Sequence, residues 1–223
     1  MKKFHIFILF ALMTVLAPWG LSSCSESTDE PEEYADWQKT NEQYFDKKYS
    51  EVKSKVDAGN ADWKILRSWT LEEAVATHSY DHVLVNVLKA GNGSGCPLYT
   101  DSVKVHYSGR QLPSPSYPGG MIFDQSWTGD YNLDTMTPST FAVNGLVVGF
   151  STALQYMHIG DRWQVTIPHQ LGYGAQAKPN APYSTMIFDI TLVGYYRADD
   201  NHKAAPAKNG SGNNAGRGHW VYE

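Results

Sequence analysis

The sequence predicts an α+β domain, a curved antiparallel sheet wrapped around one short helix, with a helical extension on its N-terminal side. Three observations carry this. Apolar side chains recur at every second position in four separate runs between residues 83 and 192, the period of half-buried strands. One helical pattern lies among them, with Phe150, Ala153, Leu154 and Met157 on a single face. A short helix of that kind needs a sheet to cover its apolar side, and 223 residues are enough to bury such a core.

The first element is a targeting segment. Lys2 and Lys3 precede an apolar run over residues 4–16, Pro18 breaks it, and Leu21-Ser22-Ser23-Cys24 follows. Charge, apolar run, small residues and cysteine stand in the order of a signal peptide over residues 1–23. The last four resemble the lipobox of bacterial lipoproteins. That resemblance implies lipidation of Cys24, with more acyl chains than the two signals that stable membrane anchoring requires. It also implies an outer-membrane lipoprotein facing either the periplasm or the cell surface. Loss of Lys2 and Lys3 with the signal takes the formal net charge from -5 to -7. With Cys24 lipidated, Cys96 has no partner in the chain and reads as a small packed hydrophobe between Gly95 and Pro97.

Residues 24–33 continue as an acidic tether, SESTDEPEE after the cysteine, with no base among them. The stretch is either a spacer or a sorting signal of the kind that sends some lipoproteins to the outer face of the outer membrane. Residues 34–80 are the helical extension. Tyr34, Trp37, Tyr44, Phe45, Tyr49, Val52 and Val56 make one stripe at helical spacing, and Gly59 is a stop. Thr70-Leu71-Glu72-Glu73 reads as a cap followed by a second short helix.

The folded domain is assigned to residues 81–196. Its strands are Val83, Val85 and Val87; Val103, Val105 and Tyr107; Trp163, Val165 and Ile167; and Met186, Phe188, Ile190 and Leu192, with the helix over residues 150–157 between the second and third. A fragment from Asn60 to Arg197 contains all of these and is expected to fold by itself. Residues 197–223 are expected to be a flexible C-terminal tail, because residues 204–218 are rich in Ala, Gly, Asn and Lys.

Composition and motifs exclude much chemistry. With 18 Lys+Arg against 23 Asp+Glu, no basic surface exists for nucleic acid. Two cysteines cannot make a disulfide framework. Gly91-Asn92-Gly93-Ser94-Gly95-Cys96 begins like a dinucleotide fingerprint but ends in Cys. Residues 210–215 match the relaxed pattern with neither strand before nor helix after. His78 and His82 have the spacing of helical metal ligands, yet Ser79 stands where a metalloprotease needs Glu. No Gly-x-Ser-x-Gly elbow occurs. The expectation is therefore no metal, no cofactor and no covalent nucleophile.

What remains is an ordered series: Val105-His106-Tyr107-Ser108-Gly109, Phe123-Asp124-Gln125-Ser126, Leu146-Val147-Val148-Gly149-Phe150, Gly160-Asp161-Arg162-Trp163, Gly172-Tyr173-Gly174 and Ser184-Thr185-Met186-Ile187-Phe188-Asp189. Taken singly, each aromatic reads as core. Jointly, over about residues 83–195, the series resembles the FKBP-type peptidyl-prolyl cis-trans isomerases. The resemblance implies an FKBP-like fold and a prolyl pocket lined by Tyr107, Phe123, Asp124, Leu146, Val147, Phe150, Tyr173 and Phe188. Asp124, Tyr107 and Tyr173 would be its catalytic residues, Phe123, Leu146, Val147, Phe150 and Phe188 its substrate-binding ones, and Phe150 its floor. Carbonyls of the substrate would accept from the Val147 amide and the Tyr173 hydroxyl. The rim departs from the family's pattern: Ser139 replaces an aromatic, Asn180 and Ala181 replace Ile and Pro, and the spans before Phe123 and before Phe141 each run about six residues longer than in the smallest members. That altered rim argues against tight binding of the family's macrolide inhibitors.

The chemistry is consistent with that resemblance. Rotating an X–Pro bond breaks amide resonance against a barrier of about 20 kcal/mol, and the twisted amide is less charge-separated than the planar one. A dry aromatic pocket favours the twisted state and binds the apolar pyrrolidine ring without nucleophile, metal or cofactor. The expected function is isomerisation of X–Pro bonds in exported or surface polypeptides. The alternatives are a prolyl-binding chaperone using the same pocket with little turnover, and an accessory lipoprotein docking through its Trp-rich helix.

Overall fold

The computed structural model describes residues 32–177, 179, 181–198 and 218–222. Cys24, residues 1–23 and Asn180 lie outside them. Alternation in the sequence becomes one antiparallel sheet of eight strands: β1 (Trp63–Arg67), β2 (His82–Lys89), β3 (Ser102–Arg110), β4 (Ile122–Gln125), β5 (Ser139–Ala142), β6 (Arg162–Ile167), β7 (Met186–Ala198) and β8 (Gly218–Val221). Their order is β1-β2-β6-β7-β3-β4. β5 follows β4 along the same side of β3, and β8 pairs with the far end of β7. Among the described residues, two α-helices accompany the sheet, α1 (Trp37–Asp57) and α2 (Val148–Leu154).

The four expected strands are present as β2, β3, β6 and β7, and the expected central helix as α2. Val83, Val85, Val103, Val105, Val165, Ile167, Met186 and Ile190 form the sheet's inner face, and Phe150, Ala153 and Leu154 of α2 close it. The approach is tight at Gly149, where a Cβ would stand 2.3 Å from Cγ2 of Ile167. A side chain there would lift α2, and with it Phe150.

α1 covers a different part of the sheet. Phe45 and Val52 are buried with Leu84 of β2, and Tyr49, Trp63 and Ile65 pack around them. Leu84 sits between Val83 and Val85, so β2 is apolar on both faces: one serves α2, the other α1. The helical extension is therefore part of the fold's core. Within residues 34–80, Trp63–Arg67 is strand β1, paired with β2 from Trp63↔Asn86 to Arg67↔His82. Thr70 starts no helix; its amide bonds to the Ser68 hydroxyl at 3.4 Å in a series of turns, local competition that Ser and Thr offer the backbone.

Two further expectations change. Glu33, assigned to the solvated tether, accepts from the Ser114 hydroxyl and, at 3.1 Å, from the Ser116 amide. Residues 218–221 of the expected flexible tail add strand β8, and the Lys104 ammonium lies 4.6 and 5.1 Å from the ring centroids of Trp220 and of Tyr222, the residue just after the strand. A four-residue strand after a polar, glycine-rich stretch has too few residues to show a period.

Because α1 fills one face of β2, the fragment starting at Asn60 loses the cover over Leu84. Burial of Phe45 and Val52 contributes about 1.5–3 kcal/mol each. The fragment 60–198 should therefore unfold at a clearly lower urea midpoint than residues 32–223. Equal midpoints would show that α1 adds nothing to the domain.

Among the described residues, no helix is long and apolar enough to cross a membrane.

Candidate active site

The inner face of the sheet opens beside α2 into a cavity of about 220 Å³. Tyr107, Phe123, Asp124, Leu146, Val147, Phe150, Tyr173 and Phe188 all line it, joined by Phe141 and Gly145. Strand register explains why residues so far apart in sequence meet. Gly109 of β3 lies opposite Phe188 of β7 on one side and Asp124 of β4 on the other. Tyr107, two residues earlier on β3, shares that face. Its amide donates to the Ser126 hydroxyl at 2.9 Å and its carbonyl accepts from the Ser126 amide at 2.8 Å, which ties β4 to β3.

Gly109 is a requirement of the geometry. A Cβ there would meet Phe188 at 2.4 Å and Phe123 at 2.9 Å, so only glycine lets both rings lie across the strand. The rings then form an edge-to-face cage. Phe188 stands at 5.0 Å and 83° to Phe150 and at 5.6 Å and 89° to Phe123. Tyr107 meets Phe150 at 6.2 Å and Phe141 at 5.5 Å. Such contacts orient the rings beyond what area burial alone would do. Phe150, Phe188 and Tyr107 are buried; Phe123, Leu146, Val147 and Tyr173 are half-buried walls; Asp124 is exposed at the mouth.

Val147 is the N-cap of α2, and among the described residues no backbone carbonyl accepts from its amide. That leaves a donor beside the cavity for an incoming acceptor. Tyr173 follows the single 3₁₀ turn His169–Leu171 on the long connection from β6 to β7. Burial raises the pKa of both phenols above the usual range. For Tyr107 a hydrogen bond to the Asp124 carboxylate and that carboxylate's charge add to the effect, and for Tyr173 the charge of Asp124 does. Both hydroxyls therefore stay protonated, as donors, throughout the neutral range.

A prediction follows from the sign of these shifts. A phenol that ionises less readily in the folded state adds stability that is complete below the unfolded value of 10.0. Above it the unfolded chain releases protons first, and the stability is lost as pH rises. The urea midpoint should hold from pH 7 to about 9.5 and fall beyond, and Tyr107→Phe should reduce the slope. An unchanged slope in that variant would mean that Tyr107 is not the buried phenol described.

Phe141 and Gly145 were not expected as lining residues. Phe141 alternates with Ser139 in β5, but a four-residue strand gives a weak signal. The rim also differs from a short-loop pattern for a visible reason. The span between Tyr107 and Phe123 contains Gln111, which is fully buried; its amide donates to the Tyr34 hydroxyl at 2.9 Å and accepts from the Ala181 amide at 3.3 Å. That longer span receives the N-terminal segment.

Other candidates fall outside the cavity. Cys96 has His158 Nε2 3.8 Å from its sulfur, yet burial and the charge of Asp161 raise the thiol's pKa, the opposite of an activated nucleophile. Asp161 instead holds the loop at Gly91, accepting from the Gly91 amide at 2.6 Å. Arg162 clasps Asp189 across β6 and β7 at 2.7 and 2.9 Å, so these two motif residues stitch the sheet. His78 contacts Asp81 at 3.3 Å, and His82 contacts the His78 carbonyl at 3.0 Å. Among the described residues no three His, Cys, Asp or Glu side chains are grouped to hold a metal. A larger cavity of about 330 Å³ beside α1 is lined by Glu42, Asp46, His78 and His169, too many charges for a dry prolyl site.

α2 closes one curved antiparallel sheet over an aromatic cage with a carboxylate at its mouth. Residues 96–193 match the family model for FKBP-type peptidyl-prolyl cis-trans isomerase, and that stretch is an FKBP-type domain. The FKBP-type 22 kDa peptidyl-prolyl cis-trans isomerase of Escherichia coli K12 is 34% identical over 109 residues, 48% of this chain and 47% of that protein. Outer membrane protein MIP of Legionella longbeachae is 32% identical over 114 residues, 50% of this chain and 43% of that one. A crystal structure of a peptidyl-prolyl cis-trans isomerase from Pseudomonas syringae pv. tomato aligns with a TM-score of 0.49 at 26% identity, covering 75% of this chain and 98% of the other. The chain spans about half the length of the curated relatives it matches.

Proposed function

We propose that the chain is a peptidyl-prolyl cis-trans isomerase that accelerates X–Pro rotation in exported or surface polypeptides. The observation that carries this is the aromatic cavity itself, about 220 Å³ and roomy enough for a pyrrolidine ring, floored by Phe150 and with Asp124 at its mouth. The proline ring would enter against Phe150, Phe123 and Phe188. The Val147 amide and the Tyr173 hydroxyl would hold substrate carbonyls on either side of the bond. Asp124 would orient Tyr107 and interact with the carbonyl of the twisted amide. No proton has to move, because resonance is lost and regained within the substrate. An isomerisation assay on a short X–Pro peptide with residues 25–223 tests the reading. Acceleration is expected, and its absence together with clear binding of unfolded clients would favour the prolyl-binding chaperone. That second reading draws on the rim, where Ala181 is bonded to Gln111 and Ser139 stands in place of an aromatic.

The same proposal includes an outer-membrane lipoprotein anchored at Cys24. The order of Lys2, Lys3, apolar run and Leu21-Ser22-Ser23-Cys24 supports it, as does the outer-membrane location in the name of the Legionella relative. Cys24→Ala should move the protein from the membrane fraction to the soluble one. Unchanged partitioning would rule out the anchor.

A further inference from the structure

The walls of the prolyl pocket differ in how they are held. Tyr107 and Phe188 stand on the long strands β3 and β7, Phe123 and Phe141 on the four-residue strands β4 and β5, Leu146 and Val147 on the turn before α2, and Phe150 on α2. Tyr173 stands on the segment between β6 and β7, whose described residues form the 3₁₀ turn His169–Leu171 and a series of short-range turns but no strand. Inside the segment, the Gly174 amide donates to the His169 carbonyl at 2.9 Å and the Tyr183 amide to the Gly174 carbonyl at 2.6 Å. Tyr183 holds φ at 59°, a left-handed conformation that a bulky residue keeps only where its surroundings impose it.

The Tyr183 ring meets His169 edge to face at 5.3 Å, and both His169 and the two residues after Tyr183 are bonded to α1. The Trp37 indole donates to the Ser184 hydroxyl at 2.8 Å, and that hydroxyl donates to the Ala181 carbonyl at 2.7 Å. Asn41, fully buried, accepts from the Thr185 amide at 2.7 Å and donates to the Trp37 carbonyl at 2.8 Å. Glu42 meets His169 at 3.1 Å, at the other end of the segment. These three residues occupy the N-terminal half of α1. The apolar attachment to the sheet, through Phe45 and Val52, lies further along. One stretch of the helix secures the fold, and a separate polar stretch grips both ends of the segment that carries Tyr173.

We propose that Trp37, Asn41 and Glu42 are positioning residues for the prolyl pocket, so that α1 sets where the Tyr173 wall stands and how tightly substrate is held. The inference rests on the prolyl-binding reading of the cavity. It makes the N-terminal helix a part of the binding site that touches no substrate. Loosening the grip should weaken capture of the X–Pro segment while leaving the aromatic cage and Asp124 in place.

The test compares Trp37→Phe, which keeps an aromatic ring but removes the indole N–H with the pyrrole part of the side chain, with Val52→Ala in the apolar half. Glu42→Gln, on an exposed side chain, is a second variant should Trp37→Phe fold poorly. Hydrogen exchange of the 172–185 amides, KM and kcat for an X–Pro peptide, and thermal midpoint are measured on residues 25–223. For Trp37→Phe, exchange over 172–185 should quicken at least fivefold with β3 and β6 unchanged. KM should rise three- to tenfold, with kcat changed less than twofold. Val52→Ala should lower the thermal midpoint while KM and local exchange at 25 °C stay at wild-type values. Wild-type exchange over 172–185 in Trp37→Phe, or an equal rise in KM in Val52→Ala, overturns the proposal. If the wild type shows no isomerase turnover, the activity reading fails separately; peptide affinity by titration then replaces KM, with the same two outcomes deciding.

Discussion

Phe150→Ala should cost the protein about 3–5 kcal/mol of stability, the usual range for emptying a buried phenylalanine site, and should abolish prolyl-peptide binding. Phe150 is 3% exposed, on the one helix that closes the inner face. Its ring contacts Tyr107 and Phe188 edge to face, so its loss leaves two further rings without their partner. The surroundings cannot collapse to fill the space. Gly149 already lies against Ile167, where a Cβ would have only 2.3 Å, so α2 has no room to move inward. Chemical denaturation with parallel peptide titration would measure both effects. A loss under about 1 kcal/mol, below the range for filled core sites, would mean that the floor is not packed as described.

Asp124→Leu should act in the opposite way, slowing catalysis and sparing stability. Asp124 is exposed at the pocket mouth, so its removal creates no cavity, and leucine keeps similar bulk. What disappears is a carboxylate that interacts with Tyr107 and, in the proposed mechanism, with the twisted amide. A charge-assisted interaction is worth about 1.5–3 kcal/mol, so kcat/KM should fall by about 10- to 100-fold. Peptide affinity should change little, the signature of an interaction made in the transition state alone. Relaxation of a cis X–Pro peptide gives the rate, and titration gives affinity. Equal losses in both would reduce Asp124 to a pocket wall.

The site was legible because it is spread over strands whose period is visible. Tyr107 and Phe188 fall on the inward positions of alternating runs, and Phe150 on the apolar face of a helix. Their joint order from Val105 to Asp189 identified the pocket, and all eight expected lining residues surround the same cavity. Phe141 escaped notice because β5 is four residues long and alternates with Ser and Thr. Gly109 was visible as part of a motif, but its reason was not. Only the register of β3 against β7 and β4 shows two phenyl rings crossing above its Cα.

The stripe from Tyr34 to Val56 shows a helix with an apolar side that packs on the following domain or on a partner, and the sequence does not choose between the two. Periodicity reports which side of an element is apolar; it does not report against what that side packs. Val83, Val85 and Val87 announced one buried face of β2, while Leu84 and Ile65, on the other face, had no sequence signal connecting them to Phe45 and Val52. Asn41 was invisible for the same reason, since a polar residue on an apolar stripe reads as solvent-facing until its partner Thr185, 144 residues away, is brought beside it.

By itself the sequence determined the α+β class, the main strands and central helix, and the identity of the pocket's side chains, because each depends on local period or on residue types in a fixed order. Tertiary structure alone decided that β1, β4, β5 and β8 complete the sheet and that α1 is core. It also decided that the wall carrying Tyr173 is held from the N-terminal helix. Those facts rest on contacts between residues far apart in the chain, and such contacts are set by which apolar faces and unpaired amides remain to be satisfied once the local elements have formed.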